Sequence, residues 1–114
     1  QRQMCIRDRR SRGLVDTQAL GWMKPSARLV NTSRGPIVDE QALIEALSAG
    51  RLAGAALDVY SEEPLPVDHP FRRLPNVLAT PHVGYVSEQN YRQFYQQMIE
   101  DIQAWASGTP FRSL

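Results

Sequence analysis

The amino-acid sequence predicts an α/β fold in which short parallel strands are covered by helices. Short apolar runs alternate along the chain with segments of helical periodicity, the order expected of a parallel sheet with crossover helices. The run of small and apolar residues at 52–57 is typical of a strand buried on both faces. Three of the apolar runs are each predicted to be a buried strand, and each leads into a loop that carries one charged or titratable residue: Arg34, Glu63 and His82.

Composition narrows the class of protein. The chain has 114 residues, of which 42% are hydrophobic and 22% charged, as in ordinary soluble globular domains. A net charge of +1 gives no reason to expect nucleic acid or a membrane surface as a partner. Cys5 is the single cysteine, which excludes an internal disulfide and a multi-cysteine metal site. We therefore expect no metal and a reducing, cytoplasmic location.

The chain begins with a segment that lacks usable periodicity. Residues 1–12 are dense in Arg and Gln, and we expect them to be an unstructured or non-native tail. Regular patterning starts at Asp16 or Thr17, either of which can cap a short helix that Pro25 ends. The apolar residues of this helix are Leu20, Trp22 and Met23.

A strand and a helix come next. Residues 27–30 read as a strand, and Asp39 is a suitable N-cap for a helix with Glu40 in its first turn. Gly50 suits the left-handed conformation that closes this helix. The apolar residues on one face of the helix are Leu43, Ala46 and Leu47.

The remainder predicts two further strands and a long helix. The buried strand at 52–57 leads into a proline-rich loop at 60–76, a strand follows at 77–80, and Ser87 caps a helix at 88–107. The apolar face of that helix comprises Tyr91, Phe94, Tyr95, Met98, Ile102 and Trp105. This aromatic stripe indicates a core or interface rather than a binding site. It needs more partner surface than three short strands supply, so we expect the C-terminal part of a larger α/β protein.

The three loop residues point to acid–base chemistry. The carboxyl ends of parallel strands meet at one edge of a sheet, where ligands bind in open α/β folds. The imidazole of His82 can give and take a proton near neutral pH. Glu63, or its neighbour Glu62, can orient that ring, and the guanidinium of Arg34 can bind a carboxylate in bidentate geometry. A purely structural role remains the alternative for each. The expected structural residues are His69 and the surface cations Arg28, Arg51, Arg72 and Arg73.

The segments NTSRG at 31–35, ALDVYSEEP at 56–64 and TPHVG at 80–84 together resemble the D-isomer-specific 2-hydroxyacid dehydrogenases. The resemblance implies the C-terminal half of a Rossmann-like domain that binds NAD or NADP, and a homodimer in the full-length protein. It assigns residues 13–86 to a partial dinucleotide-binding domain and 87–114 to a helix of the substrate domain. The Gly-x-Gly-x-x-Gly turn is absent from the sequence, so the choice between NAD and NADP cannot be read.

The resemblance also assigns roles to residues. Arg34, Glu63 and His82 are the implied catalytic residues, and Glu63 is preferred over Glu62 because the family motif places glutamate immediately before proline. The implied cofactor-binding residues are Thr32, Ser33, Arg34, Asp58, His82 and Gly84. For two of these residues a purely structural role is the alternative. Asp58 could be a buried carboxylate that ties down the following loop, and Gly84 could be an ordinary turn glycine.

The function implied is the interconversion of a small 2-oxo acid and a D-2-hydroxy acid by hydride transfer. The 114-residue chain alone is expected to be inactive, because most of the substrate domain is missing. A non-catalytic, nucleotide-sensing corepressor of the same fold and an inactive truncated fragment remain open alternatives. A formate-dehydrogenase-like activity is disfavoured, because those relatives carry Gln where Glu63 stands.

Overall fold

The computed structural model describes residues 11–109. Residues 1–10, which hold Cys5 and most of the tail expected at 1–12, lie outside the described part. The described residues form two compact units, one spanning 11–83 and the other 84–109.

The elements follow the predicted order. They are α1 at Thr17–Gly21, β1 at Arg28–Asn31, α2 at Glu40–Ser48, β2 at Gly54–Leu57, β3 at Val77–Ala79 and α3 at Glu88–Ala106. Short 3₁₀ turns lie at Gly35–Ile37 and Pro70–Arg72. The α/β class is confirmed, and the main difference is that β2 begins at Gly54 rather than Leu52.

The first unit is built on a parallel sheet with the strand order β1-β2-β3. In register, Leu29 lies beside Ala55, and Ala55 lies beside Val77. The three strands run in the same direction, so their carboxyl ends and the loops that follow share one edge of the sheet. The loops that contain Arg34, Glu63 and His82 all start from this edge.

One face of the sheet forms the core. Leu29 of β1 and Leu57 of β2 are buried together with the apolar face of α2. The α2 residues in this core are Ala42, Leu43, Ala46 and Leu47, as predicted for three of them. Trp22, which follows α1, is in contrast 76% exposed, and Leu20 is the buried residue of that helix.

The other face of the sheet corrects the expectation that all three strands are buried. Val30 in β1 and Leu78 in β3 are exposed by 69% and 65%. They flank Ala56 in register and form an apolar row across the sheet. The reason is geometric: the buried side chains of α2 pack on the opposite face, and the alternation of side chains along a strand puts Val30 and Leu78 outward.

The start of α2 is stabilised by the predicted cap. The Asp39 carboxylate accepts a hydrogen bond from the N–H of Ala42 at 3.0 Å. Replacing Asp39 with Ala should lower the free energy of unfolding by about 1 kcal/mol, because one helix-end donor loses its acceptor. Urea denaturation of Asp39→Ala measures this loss. The exposed Asp68 offers a control, since Asp68→Ala should leave stability within about 0.5 kcal/mol.

The second unit contains α3. Ser87 caps it as predicted, accepting a hydrogen bond from the N–H of Asn90 at 3.2 Å. No residue of α3 is buried, and its aromatic stripe is exposed, with Trp105 at 76%. The stripe therefore does not form part of the core of residues 11–109. No helix in this range is long and apolar enough to span a membrane.

Candidate active site

His82 lies in a turn that begins where β3 ends. Its φ of 55° is in the left-handed region, which non-glycine residues adopt only when neighbouring contacts require it. The buried carboxylate of Asp58 supplies those contacts. One of its oxygens, Oδ1, accepts hydrogen bonds from Thr80 Oγ1 at 2.5 Å and from the N–H of Val83 at 2.9 Å. Asp58 therefore holds the turn on both sides of the histidine.

Glu63 is the carboxylate that pairs with His82. The distance from His82 Nδ1 to Glu63 Oε2 is 2.6 Å, and each side chain is about one-third exposed, at 36% and 34%. The second oxygen, Oε1, accepts a hydrogen bond from the N–H of Tyr60 at 2.9 Å. The neighbouring Glu62 is exposed. The geometry therefore selects Glu63 over Glu62, the choice that the sequence motif favoured.

The surroundings of Glu63 favour its ionised form. Partial burial is the largest single influence on the pKa of this carboxyl group and raises it. Hydrogen bonds from His82 and the Tyr60 N–H, with the charges of His82 and Arg34, outweigh burial and lower the pKa below 4.5. Because an ionised carboxylate is only an acceptor, Nδ1 of His82 must carry the hydrogen in this pair.

This pairing predicts how the site responds to acid. A carboxyl group with a lowered pKa in the folded state contributes stability above its unfolded pKa and loses it as the pH falls through the folded value. The Glu63–His82 contact should therefore persist below pH 4.5, the ordinary value for glutamate, and break at a lower pH. A ¹³C NMR titration of the Glu63 carboxyl carbon measures this, with Glu63→Gln identifying the resonance. A midpoint at or above 4.5 contradicts the prediction.

Arg34 follows β1 in a loop that Asn31 organises. The buried Asn31 side chain accepts from the N–H of Ser33 at 3.1 Å and donates to the carbonyl of Arg34 at 3.0 Å. The guanidinium donates to the carbonyl of Ser33 at 2.7 Å, and its charge is felt at Glu63. The three residues predicted as catalytic therefore belong to one unit and one edge of the sheet. Asn31 was not singled out in the sequence, where it reads as an ordinary turn residue.

Gly35 brings the Arg34 loop against the Glu63 loop. A Cβ atom on this buried glycine would lie 2.0 Å from the carbonyl carbon of Tyr60 and 2.6 Å from the N of Ser61. The backbones of the two loops can approach this closely only because residue 35 has no side chain. Tyr60 extends the connection, since its hydroxyl lies 2.8 Å from the Leu57 carbonyl and 2.9 Å from the Thr80 carbonyl. Sequence analysis missed both residues, because loop-to-loop packing leaves no periodic signal.

A pocket of about 450 Å³ adjoins the Glu63–His82 pair. Its lining residues are Tyr60, Glu63, Pro64, Leu65, Arg72, Ala79, Thr80, Pro81 and His82. Arg72 is exposed, as expected, yet its guanidinium is held in place. Its Nε donates to the Pro66 carbonyl at 2.9 Å, and its Nη2 donates to the Leu65 carbonyl at 2.8 Å.

His69 has the structural role that was expected of it. Its Nδ1 accepts from the N–H of Phe71 at 3.3 Å, and its Nε2 lies 3.4 Å from Oε1 of Glu40. Its ring also packs against Phe71, with ring centroids 4.9 Å apart. His69 therefore caps the 3₁₀ turn at Pro70–Arg72 and connects it to the start of α2.

Several residues predicted to bind a dinucleotide lie at the carboxyl ends of β1 and β2. Thr32 and Ser33 are exposed at the carboxyl end of β1, and Asp58 is buried at the end of β2. Dinucleotides bind outside the carboxyl ends of parallel strands, so this edge fits the nicotinamide end of such a molecule. Asp58 also has the tie-down role considered above. Gly84 belongs to the second unit, and its role stays a prediction.

An open parallel sheet with polar and charged side chains gathered on the loops at its carboxyl edge has the architecture of a Rossmann-like nucleotide-binding domain. Comparison with known protein families identifies which family the chain belongs to. Residues 3–84 match the family model described as "D-isomer specific 2-hydroxyacid dehydrogenase, NAD binding domain". The match covers more than half of the chain, and the chain belongs to this family.

Individual proteins that are similar to this chain support the same family assignment. The chain is 43% identical over 96 residues to glyoxylate/hydroxypyruvate reductase B of Yersinia enterocolitica, covering 84% of this chain and 29% of the relative. Among solved structures, a D-isomer specific 2-hydroxyacid dehydrogenase of Xanthobacter autotrophicus Py2, in complex with NADPH and MES, is 40% identical with a TM-score of 0.72, covering 90% of this chain and 42% of that one. The structure of D-lactate dehydrogenase with NAD⁺ from Lactobacillus jensenii is 29% identical with a TM-score of 0.80. The match covers 92% of this chain and 36% of that one.

The chain therefore spans less than a third of the length of the curated relative quoted above.

Proposed function

We propose that the complete protein interconverts a small 2-oxo acid and a D-2-hydroxy acid with NAD or NADP. The observation that carries this proposal is the 2.6 Å contact between His82 Nδ1 and Glu63 Oε2 at the carboxyl edge of the sheet. The family to which the chain belongs and the reductases that it resembles support the same reaction.

The proton is proposed to move through His82. The hydrogen bond to the ionised Glu63 fixes the hydrogen on Nδ1, so the proton exchanged with the substrate oxygen is assigned to Nε2. The same hydrogen bond fixes the orientation of the imidazole ring. A nicotinamide held at this edge would supply or accept the hydride at the substrate carbon.

Arg34 is proposed to bind the substrate carboxylate. Its guanidinium is planar and permanently charged, and it can pair with a carboxylate in bidentate geometry while stabilising negative charge that develops on the carbonyl oxygen. The Asn31 turn fixes the backbone that carries it. Thr32, Ser33, Asp58 and Gly84 are proposed to lie against the nicotinamide end of the cofactor.

The organisation of the complete enzyme is part of the proposal. Residues 13–86 would belong to the dinucleotide-binding domain, and 87–114 would supply a helix to the substrate domain. The exposed aromatic stripe of α3 supports a missing partner surface of that kind. A homodimer follows from the family resemblance, and a cytoplasmic location from the scarcity of cysteine.

The test is a stereospecific assay of the complete protein. We expect oxidation of NADH or NADPH in the presence of glyoxylate or hydroxypyruvate, and reduction of the oxidised cofactor with D- but not L-2-hydroxy acids. The isolated 114-residue chain should show no turnover. A complete protein that binds the dinucleotide, binds a protein partner and reduces no 2-oxo acid would instead be a nucleotide-sensing corepressor.

A further inference from the structure

The pocket beside the Glu63–His82 pair is lined by an arginine that the proposed mechanism does not use. Arg72 lies in its wall, on the last residue of a 3₁₀ turn. The hydrogen bonds to the carbonyls of Leu65 and Pro66 use Nε and Nη2 and hold the guanidinium at this position. These bonds orient the group and do not neutralise its charge.

No carboxylate neutralises this charge within residues 11–109, where Arg72 forms no ion pair. Glu63 also lines the pocket, but its oxygens accept from His82 and from the N–H of Tyr60. The guanidinium nevertheless acts on its surroundings. Burial and the charge of Asp58 raise the pKa of the buried Tyr60 above its ordinary value, and the positive charge of Arg72 offsets part of this rise.

The rest of the wall is mainly apolar. Pro64, Leu65, Ala79 and Pro81 contribute carbon surface to it. A volume of about 450 Å³ is in the range of small-molecule sites. A pocket with a reactive histidine, apolar walls and an oriented cation fits a short aliphatic chain that ends in an anion.

We propose that this pocket receives the side chain of the 2-oxo acid and that Arg72 selects substrates with a second carboxylate. This inference rests on the proposed function and deepens it. In this arrangement Arg34 binds the carboxylate next to the reacting carbon, His82 serves the carbonyl oxygen, and Arg72 binds the distal carboxylate. Arg72 is then a specificity-determining residue.

The experiment compares two substrates of similar shape in the complete enzyme. In 2-oxoglutarate the chain ends in a carboxylate, and in 5-methyl-2-oxohexanoate two methyl groups take the place of its oxygens. We expect Arg72→Met to lower the ratio of their kcat/KM values, diacid over monoacid, by about 10- to 100-fold, the range for a hydrogen bond to a charged group. The loss should appear mainly as a higher KM for the diacid.

Arg73 provides the matched control, because it is the adjacent arginine, is exposed and does not line the pocket. Arg73→Met should leave the ratio unchanged. If Arg72 only supports its loop, Arg72→Met should weaken both substrates equally, and that result overturns the inference. A loss of kcat/KM that is confined to the diacid supports it.

The two proposals fail separately. A wild-type enzyme that reduces no 2-oxo acid contradicts the proposed function. A wild-type enzyme that reduces glyoxylate, with a diacid preference that is absent or independent of Arg72, contradicts only the inference about this pocket.

Discussion

Replacing His82 with Gln in the complete enzyme should lower kcat by about 10²- to 10⁴-fold, the usual contribution of a general acid–base group. Glutamine can still donate a hydrogen bond toward Glu63, but it cannot exchange a proton near neutral pH. KM for the 2-oxo acid should change much less, because Arg34 is proposed to bind its carboxylate. Steady-state kinetics with saturating dinucleotide measure both quantities.

His69 offers a matched control, because it is also a histidine beside a glutamate. Its Nε2 lies 3.4 Å from Glu40, but its contacts are those of a cap. His69→Gln should leave kcat within about twofold and lower stability by about 1 kcal/mol, as expected for a lost cap. Equal effects of the two substitutions on kcat would falsify the assignment of His82.

Replacing Gly35 with Ala should disturb fold and site together. The added Cβ would lie 2.0 Å from the Tyr60 carbonyl carbon and 2.1 Å from its oxygen, and neither atom can rotate away as a side chain can. One backbone must move, so we expect a loss of about 3 kcal/mol in the free energy of unfolding, at the upper end of overpacking costs. The Arg34 loop and the Glu63 loop should also separate.

Chemical denaturation and kinetics of the complete enzyme measure the two effects. Gly21 is the control, because a Cβ there would meet nothing within 4 Å. Gly21→Ala should leave activity unchanged and raise stability by up to about 1 kcal/mol, through the reduced freedom of the unfolded chain. If Gly35→Ala were as stable and active as Gly21→Ala, the two loops would not depend on the close approach at Gly35.

Local patterns in the sequence were sufficient to predict the order of elements and the catalytic candidates. Asp39 and Ser87 cap the helices they were expected to cap, because a capping side chain bonds within three residues of itself. A glutamate–histidine pair was expected because strands that run in the same direction bring their following loops to one edge, and the family motif favoured Glu63 over Glu62. The roles of Thr32, Ser33 and Gly84 remain predictions from the motifs.

Features that depend on contacts distant in sequence were not predictable. The sequence pattern of an apolar strand residue is the same whether or not a helix covers it. The exposure of Val30 and Leu78 could therefore not be predicted from the sequence. The fit between Gly35 and Tyr60 depends on the meeting of two backbones that are 25 positions apart in the numbering. The hydrogen bonds of Arg72 to Leu65 and Pro66 depend on the course of a proline-rich loop.

The apolar row formed by Val30, Ala56 and Leu78 has a consequence for anyone who produces this chain by itself. Within residues 11–109 this solvent-exposed apolar surface lies beside the outer edges of β1 and β3. Exposed apolar surface next to a strand edge promotes aggregation during refolding. Yields of monodisperse material should therefore fall steeply as concentration rises into the micromolar range. Producing the polypeptide as part of the complete protein proposed above is the practical remedy.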